Sequence, residues 1–534
     1  MKNIKTPLVI LLVLSISLFV RLYGLGNNPS ILNRDEAAIA YNAFLLQQTG
    51  TDEWGQWWPL SLKSFGDYKL LGYPAVVAAL YSLFEPSDFI VRLPSALAGV
   101  GVLYLLLRLL ERFTTYKHVT LYFLLFIACT PIFFFYSRIA FEANLGLCFF
   151  LLFIHFILRP LDSKTLFFDF AAVAVIILAI CTYNTPLLLL PFIVVLIPLL
   201  RGFRDVKKWA IPVLLLLFVG LYFFLTFSVL TKQKQSITLL SDPTTYYNYT
   251  QYRAALSGWE EQVLGNKYYY YLTLLIPRFI QSFSPEFLVT RGGSHPWHQL
   301  PGWGHLFITQ YLVIIVSILF AISKLVQKLK VVTLKKLIKG ISNPLLNTET
   351  GRILCLLYLT MIGLAPSVVT VDSPHATRSL FFIAMLLLMA GYFLQQFTYK
   401  FLLPKVFIGL VFISTSFFAY FYVRDYFFLY PDLQKVVLRS EFRQVLEDVA
   451  ARYPQEKIAI VDQGGYDYIT TAWYLKVAPD EFYRTIKMQN SDAIGFHYGL
   501  QVANFTFIKT VGERSKDTEV VVEWNTYRNT WEVQ

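Results

Sequence analysis

Long apolar runs dominate this chain and leave few folds open to it. Eleven stretches approach the ~20 mostly apolar residues that a helix needs to cross a bilayer. They are 7–23, 94–110, 119–136, 141–158, 166–183, 186–200, 209–230, 306–326, 352–370, 379–397 and 404–423. In lipid each backbone N–H and C=O must be satisfied within its own segment, so such runs fold as helices. Hydrophobic residues make up 56% of the 534 residues and charged ones 15%, against about 25% charged in soluble domains. The expected fold class is an all-α polytopic membrane protein of about eleven transmembrane helices. Cys129, Cys148, Cys181 and Cys355 all lie inside apolar runs and read as small packed hydrophobes.

A net charge of +12 could suit nucleic acid. The basic residues instead gather in short loops between runs: Arg108, Arg112 and Lys117; Arg159 and Lys164; Arg201, Arg204, Lys207 and Lys208; and Lys324 to Lys339. That is the positive-inside bias, and it accounts for the charge with no nucleic-acid partner. Lys2 and Lys5 precede the first run with no clear small-residue cleavage site after it, so the run reads as an uncleaved helix with a cytoplasmic N-terminus. Residues 73–84 are apolar but too short to span, and reading them as interfacial keeps every basic loop cytoplasmic.

Residues 27–92 then form one large first loop on the outer side. The turn 137–142, the turn Tyr183–Pro186, the segment 231–305 and the turn 373–378 lie with it. The tail from 424 is outer as well. Its helical spacing over 439–453 and strand-like runs at 457–461, 502–509 and 519–524 predict a small extracytoplasmic α/β domain with an accessory role. The expected division is a membrane catalytic domain over 1–423 and the α/β domain over 424–534. No internal repeat is visible, which weighs against many transporter folds.

The first loop carries the chemistry. Asn33-Arg34-Asp35-Glu36 follows the first run, and Asp67-Tyr68-Lys69 comes some thirty residues later, beyond Trp54, Trp57 and Trp58. Asn33 or Asp35 could simply cap a helix over about 36–48, with the acids favouring its positive end. Capping and catalysis are compatible, because a cap fixes a carboxylate in place. Arg138 and Glu142 stand four apart, which on a helix would put them on one face as an ion pair or a ligand site. Lys69, Arg92 and Arg378 are outer-side cations that run against the positive-inside bias, and binding a phosphate is one reason to keep them. A lipid-phosphate sugar donor has a good leaving group once its phosphate is neutralised. An acceptor hydroxyl needs a general base, a role that suits Asp. No nucleotide-binding glycine motif is present, as a lipid-linked donor would allow.

Several of these pieces, in this order, resemble the GT-C-fold glycosyltransferases that use polyprenyl-phosphate sugars. The similar groups are the bacterial relatives of the dolichyl-phosphate-mannose protein mannosyltransferases and the lipid A aminoarabinose transferases. The matching pieces are Arg34-Asp35-Glu36-Ala37, Asp67-Tyr68-Lys69 with Gly72-Tyr73-Pro74, Arg92-Leu93-Pro94-Ser95-Ala96-Leu97 and Ser137–Glu142. They cover about the first 160 residues. The resemblance implies that Asp35 is the catalytic base, with Glu36 its companion and Glu142 a second active-site acid. It implies that Lys69 contacts the donor phosphate and Arg378 is a second contact; Arg138 joins them as an expected phosphate-binding cation. Asp67 stands where some relatives hold a divalent metal ion, paired there with a later His, for which His295, His298 and His305 are all available. Leu70 departs from the Pro that often follows the lysine.

The implied function is inverting transfer of a sugar from a polyprenyl-phosphate donor to a hydroxyl of a protein, lipid or glycan, at the outer face of the cell membrane. A flippase for lipid-linked sugars would instead carry charges inside its spans. A surface-polysaccharide ligase or polymerase would centre its arginines on a late loop.

Overall fold

The computed structural model describes residues 5–65, 67–114, 119–161, 164–226, 238–293, 295–329, 344–395, 402–492 and 496–534. The basic stretch 324–340 is therefore described only as far as Leu329, and Lys2 and Lys117 lie outside the described residues. The chain divides into two compact units. The span unit holds Met1–Leu18, Ala98–Phe135 and Ala143–Val423, and the loop-and-tail unit holds Phe19–Leu97, Tyr136–Glu142 and Arg424–Gln534.

Among the described residues, seven helices are long and apolar enough to cross a membrane. They are Asp88–Phe113, Thr165–Thr182, Asn184–Arg201, Ile308–Lys328, Glu349–Val368, Ala376–Leu394 and Val406–Val436. Each answers to an expected run. The remaining expected spans fall on shorter helices. Run 7–23 lies on α1 (Lys5–Leu22), 141–158 on Glu142–Ile157 and 209–230 on Ala210–Thr226. Run 119–136 is broken into Val119–Ile127 and Pro131–Tyr136, because Pro131 cannot donate the backbone bond that would continue the first piece. Within the span unit, Ala376–Leu394 is the central helix, 94% buried, while Thr165–Thr182 and Ile308–Lys328 are one-third buried. The exposed sides of those two carry Leu166, Phe167, Leu178, Leu312 and Leu319, a surface suited to lipid.

In the loop-and-tail unit, α1 is followed by α2 (Arg34–Thr49), a hairpin of β1 (Ser61–Ser64) and β2 (Asp67–Leu70), α3 (Gly72–Tyr81) and the start of α4 (Asp88–Phe113). The ten-residue α3 is the short apolar piece expected at an interface. The tail contributes β3 (Ile458–Val461), β4 (Lys487–Met488), β5 (Gly499–Val502), β6 (Phe505–Ile508), β7 (Val520–Asn525) and β8 (Thr530–Val533). They form one mixed sheet in the order β4-β5-β6-β3-β7-β8, with β3 parallel to β6 and β7. All four residues of β3 are buried, as a strand covered on both faces requires.

The tail does not stand alone. Trp473 Nε1 and Tyr474 Oη donate to the two carboxylate oxygens of Asp88 at 2.8 and 3.0 Å. Tyr41 Oη donates to Val477 O at 2.9 Å, and His497 N to Phe65 O at 3.0 Å. These bonds join the tail to α2, to the segment after β1 and to the first turn of α4, so loop and tail fold as one body.

Candidate active site

The N-terminus of α2 is fixed by a reciprocal cap. Asn33 Oδ1 accepts from the backbone N–H groups of Asp35 and Glu36 at 2.9 and 3.1 Å, and Glu36 Oε2 accepts from Asn33 N at 3.2 Å. This satisfies helix-end donors that otherwise lack partners. The cap also sorts the two acids. Glu36 turns inward and is buried; Asp35, one position earlier, keeps about a fifth of its side chain exposed.

Glu36 is fully engaged. Arg92 Nε donates to Oε1 at 2.9 Å and Arg92 Nη2 to Oε2 at 3.2 Å, while Ala140 N donates to Oε1 at 2.7 Å. The rest of the Arg92 guanidinium donates to the carbonyls of Leu25, Pro29 and Ile31 at 3.1, 2.6 and 3.0 Å. One buried ion pair thus ties α2, the 25–31 segment, α4 and the 136–142 turn together. The resemblance groups Glu36 with the active-site acids as the companion of the base, structural or facing the acceptor; its carboxylate oxygens hold this frame.

Lys69 reaches Asp35 from the hairpin. Leu62 pairs with Lys69 across β1 and β2. The Lys69 ammonium lies 2.7 Å from Asp35 Oδ1 and 5.2 Å from the centre of the Phe65 ring. A charge-assisted bond of this length between a buried cation and a part-exposed carboxylate is among the stronger kinds. Arg34 lies 4.4 Å over the Tyr466 ring of the tail, so tail residues help wall the surroundings of the pair.

Beneath the tryptophan loop lies an acid that the sequence reading passed over. Glu53 accepts from Phe65 N at 3.1 Å and from Tyr468 Oη at 3.3 Å. Burial pushes its pKa up to about 7. The signal was weak: Asp52-Glu53 looks like an ordinary polar turn, and only the tertiary fold buries it. Lys63 sits 3.8 Å over the Trp54 ring, while Trp57 is well exposed.

The other expected residues divide. Glu142 begins the helix Glu142–Ile157, where an acid suits the positive helix end. Its charge also bears on Tyr73, whose phenol is held well above its usual pKa, first by burial and then by Glu36. Glu142 therefore belongs to the same neighbourhood as Glu36. Arg138 departs from the shared helical face that its spacing to Glu142 suggests: it lies in the turn between helices, and it is buried. Its guanidinium donates to the carbonyls of Val20, Arg21 and Asn28 at 3.0, 2.9 and 3.1 Å and lies over Tyr426 and Phe427. It closes the C-terminal end of α1 through these carbonyl bonds. The side chain of Asp67 lies outside the described residues.

In the span unit, Arg378 donates to Thr370 Oγ1 at 2.9 Å and pairs with Asp372. Beside it, His295, Asp372 and His375 each offer one ligand atom, all within 4.8 Å of one another. Asp372 carried no role in the sequence reading, although it stands three residues before His375. Burial, then the charge of Arg378, holds the His375 pKa well below its usual value. Of the other histidines expected at a metal, His305 is buried edge-on to Phe287 and its pKa is pushed down to about 3 by burial. His298 packs near His295 and His375.

No protein-family model matches the chain, and no curated protein matches it in sequence. Solved structures do match in fold. ArnT from Cupriavidus metallidurans bound to undecaprenyl phosphate superposes with a TM-score of 0.52 at 13% identity, over 87% of this chain and 84% of that one. The archaeal oligosaccharyltransferase AglB from Archaeoglobus fulgidus, in complex with an inhibitory peptide and a dolichol-phosphate, gives 0.50 at 12% identity over 87% of this chain. An oligosaccharyltransferase from Archaeoglobus fulgidus in complex with Zn and sulfate gives 0.50 at 10% identity, again over 87% of this chain. This chain spans 63% and 61% of those two. These neighbours are GT-C-fold glycosyltransferases, and the chain has the GT-C fold.

Proposed function

We propose that the chain is an inverting membrane glycosyltransferase that moves a sugar from a polyprenyl-phosphate donor to an acceptor hydroxyl. The observation that carries the reading is the Asp35–Lys69 pair at 2.7 Å on a capped helix end, in a chain with the GT-C fold. The neighbours solved with undecaprenyl phosphate and dolichol-phosphate support a donor of the same class. Transfer takes place on the extracytoplasmic face of the cell membrane, with the N-terminus cytoplasmic.

In this reading Asp35 takes the proton of the acceptor hydroxyl. The hydroxyl oxygen then attacks the anomeric carbon, the bond to the phosphate oxygen breaks, and the configuration inverts. Lys69 leaves Asp35 for the phosphate when the donor arrives; this frees the base and neutralises the departing charge. Glu36 and Arg92 act as positioning residues that hold the first turn of α2, and Glu142 contributes a second acid nearby. A divalent ion, where one is bound, would supply Lewis-acid stabilisation of a phosphate oxygen. The described residues whose donor set fits such an ion are His295, Asp372 and His375.

The test is incubation of the purified protein with a panel of labelled polyprenyl-phosphate sugars and mixed acceptors. Label in a new glycosidic product supports transfer. Movement of the sugar-lipid across the bilayer with no bond made would point to a flippase instead.

A further inference from the structure

We infer that His295, Asp372 and His375 form a binding site for one divalent transition-metal ion, built entirely within the span unit and independent of the Asp67 position. The three residues come from two loops, with Asp372 and His375 three apart on the same one. His295 precedes the helix Ile308–Leu329, Asp372 follows the helix Glu349–Val368, and His375 caps the helix Ala376–Leu394. Their ligand atoms nevertheless converge. His375 Nε2 lies 3.5 Å and His295 Nε2 3.9 Å from the same carboxylate oxygen, Asp372 Oδ2. Both separations exceed the usual N–H···O range of about 2.7–3.2 Å. They are close to the ~3.4 Å between two ligand atoms that each sit ~2.1 Å from one tetrahedral ion. The two imidazole centres are 5.4 Å apart, and rings sharing such an ion would stand about 5 Å apart by the same geometry.

The surroundings do what an outer shell does for metal ligands, fixing ring orientation and tautomer. Thr377 Oγ1 lies 2.8 Å from His375 Nδ1, which turns Nε2 toward Asp372. Arg378 pairs with Oδ1 of Asp372, leaving Oδ2 to the two imidazoles and favouring a monodentate carboxylate. Trp297 stacks on His295 with ring centres 5.5 Å apart and planes 25° from parallel. The Arg378 cation opposes a metal charge, but it also holds in place the one carboxylate that would offset it. Two imidazoles and a carboxylate suit an ion of the zinc class, whereas magnesium and calcium prefer oxygen ligands. Three protein ligands also leave a coordination position for water or a substrate oxygen.

The test uses the full chain in detergent, stripped of metal, dialysed against Zn²⁺ and then analysed for bound metal. Co²⁺ substitution gives a parallel absorption readout. Wild type and Asp67→Asn are expected to hold one ion per chain. His295→Ala is expected to lose it, and Thr377→Val to bind about 10–100-fold more weakly. His295 is partly exposed, so His295→Ala should keep the metal-free melting temperature of wild type. Absence of a stoichiometric ion in wild type, full retention in both His295→Ala and His375→Ala, or loss in Asp67→Asn alone would each overturn the assignment. None of these readouts depends on transferase activity, so the site can fail while the proposed function stands, and the reverse.

Discussion

Lys69 and Asp35 meet across 34 residues of sequence at 2.7 Å, with the ammonium nearly buried and the carboxylate partly open. The asymmetry matters for function. Asp35 is held by a capped helix, whereas Lys69 has a long stem that can follow a phosphate while the base stays in place.

Lys69→Met is therefore expected to lower transfer by roughly 10²–10³-fold, the usual cost of removing one stabilising donor. Thermal unfolding in detergent should change little, because Asp35 retains access to water. A variant with wild-type turnover and donor KM would remove Lys69 from the mechanism.

Glu36 makes the opposite prediction. Arg92→Leu leaves the Glu36 carboxylate buried with one cation fewer, and breaking such a pair costs about 3–5 kcal/mol. Poor yield or a markedly lower melting temperature is expected, and the folded fraction should also lose activity as the first turn that carries Asp35 loosens. An Arg92→Leu protein as stable as wild type would show that the buried frame is not what orders α2.

Glu53 predicts a pH dependence of stability. Its folded pKa is raised from 4.5 to about 7 by burial, so between those values the folded state holds a proton that the unfolded chain has lost. Stability should then fall as pH rises through that window, by on the order of 3 kcal/mol from this group, and level off above it. Glu53→Gln should flatten the profile. An unchanged profile in that variant would assign the dependence to another group.

Local features of the site were readable in sequence, and distant ones were not. The cap at Asn33 and the roles open to Asp35 follow from four adjacent residues. The membrane runs follow from length and apolarity alone. The bonds of Arg138 were not readable, because a charged residue in a turn looks available; only the tertiary fold shows it donating to the carbonyls at the end of α1. The docking of Trp473 and Tyr474 on Asp88 joins residues 385 and 386 apart, and no spacing rule reaches that far. Asp372 was missed for a related reason: its partner His295 lies on another loop.

Asp35 is the point on which the whole account turns, and Asp35→Asn tests it directly. The substitution keeps the shape and the backbone cap while removing the base. Once a labelled polyprenyl-phosphate sugar is known to be turned over, initial transfer rates should be compared between wild type and Asp35→Asn at matched melting temperature. Loss of general-base catalysis, about 10²–10⁴-fold or more, is the result expected. Wild-type rates in a correctly folded Asp35→Asn protein would contradict the assignment.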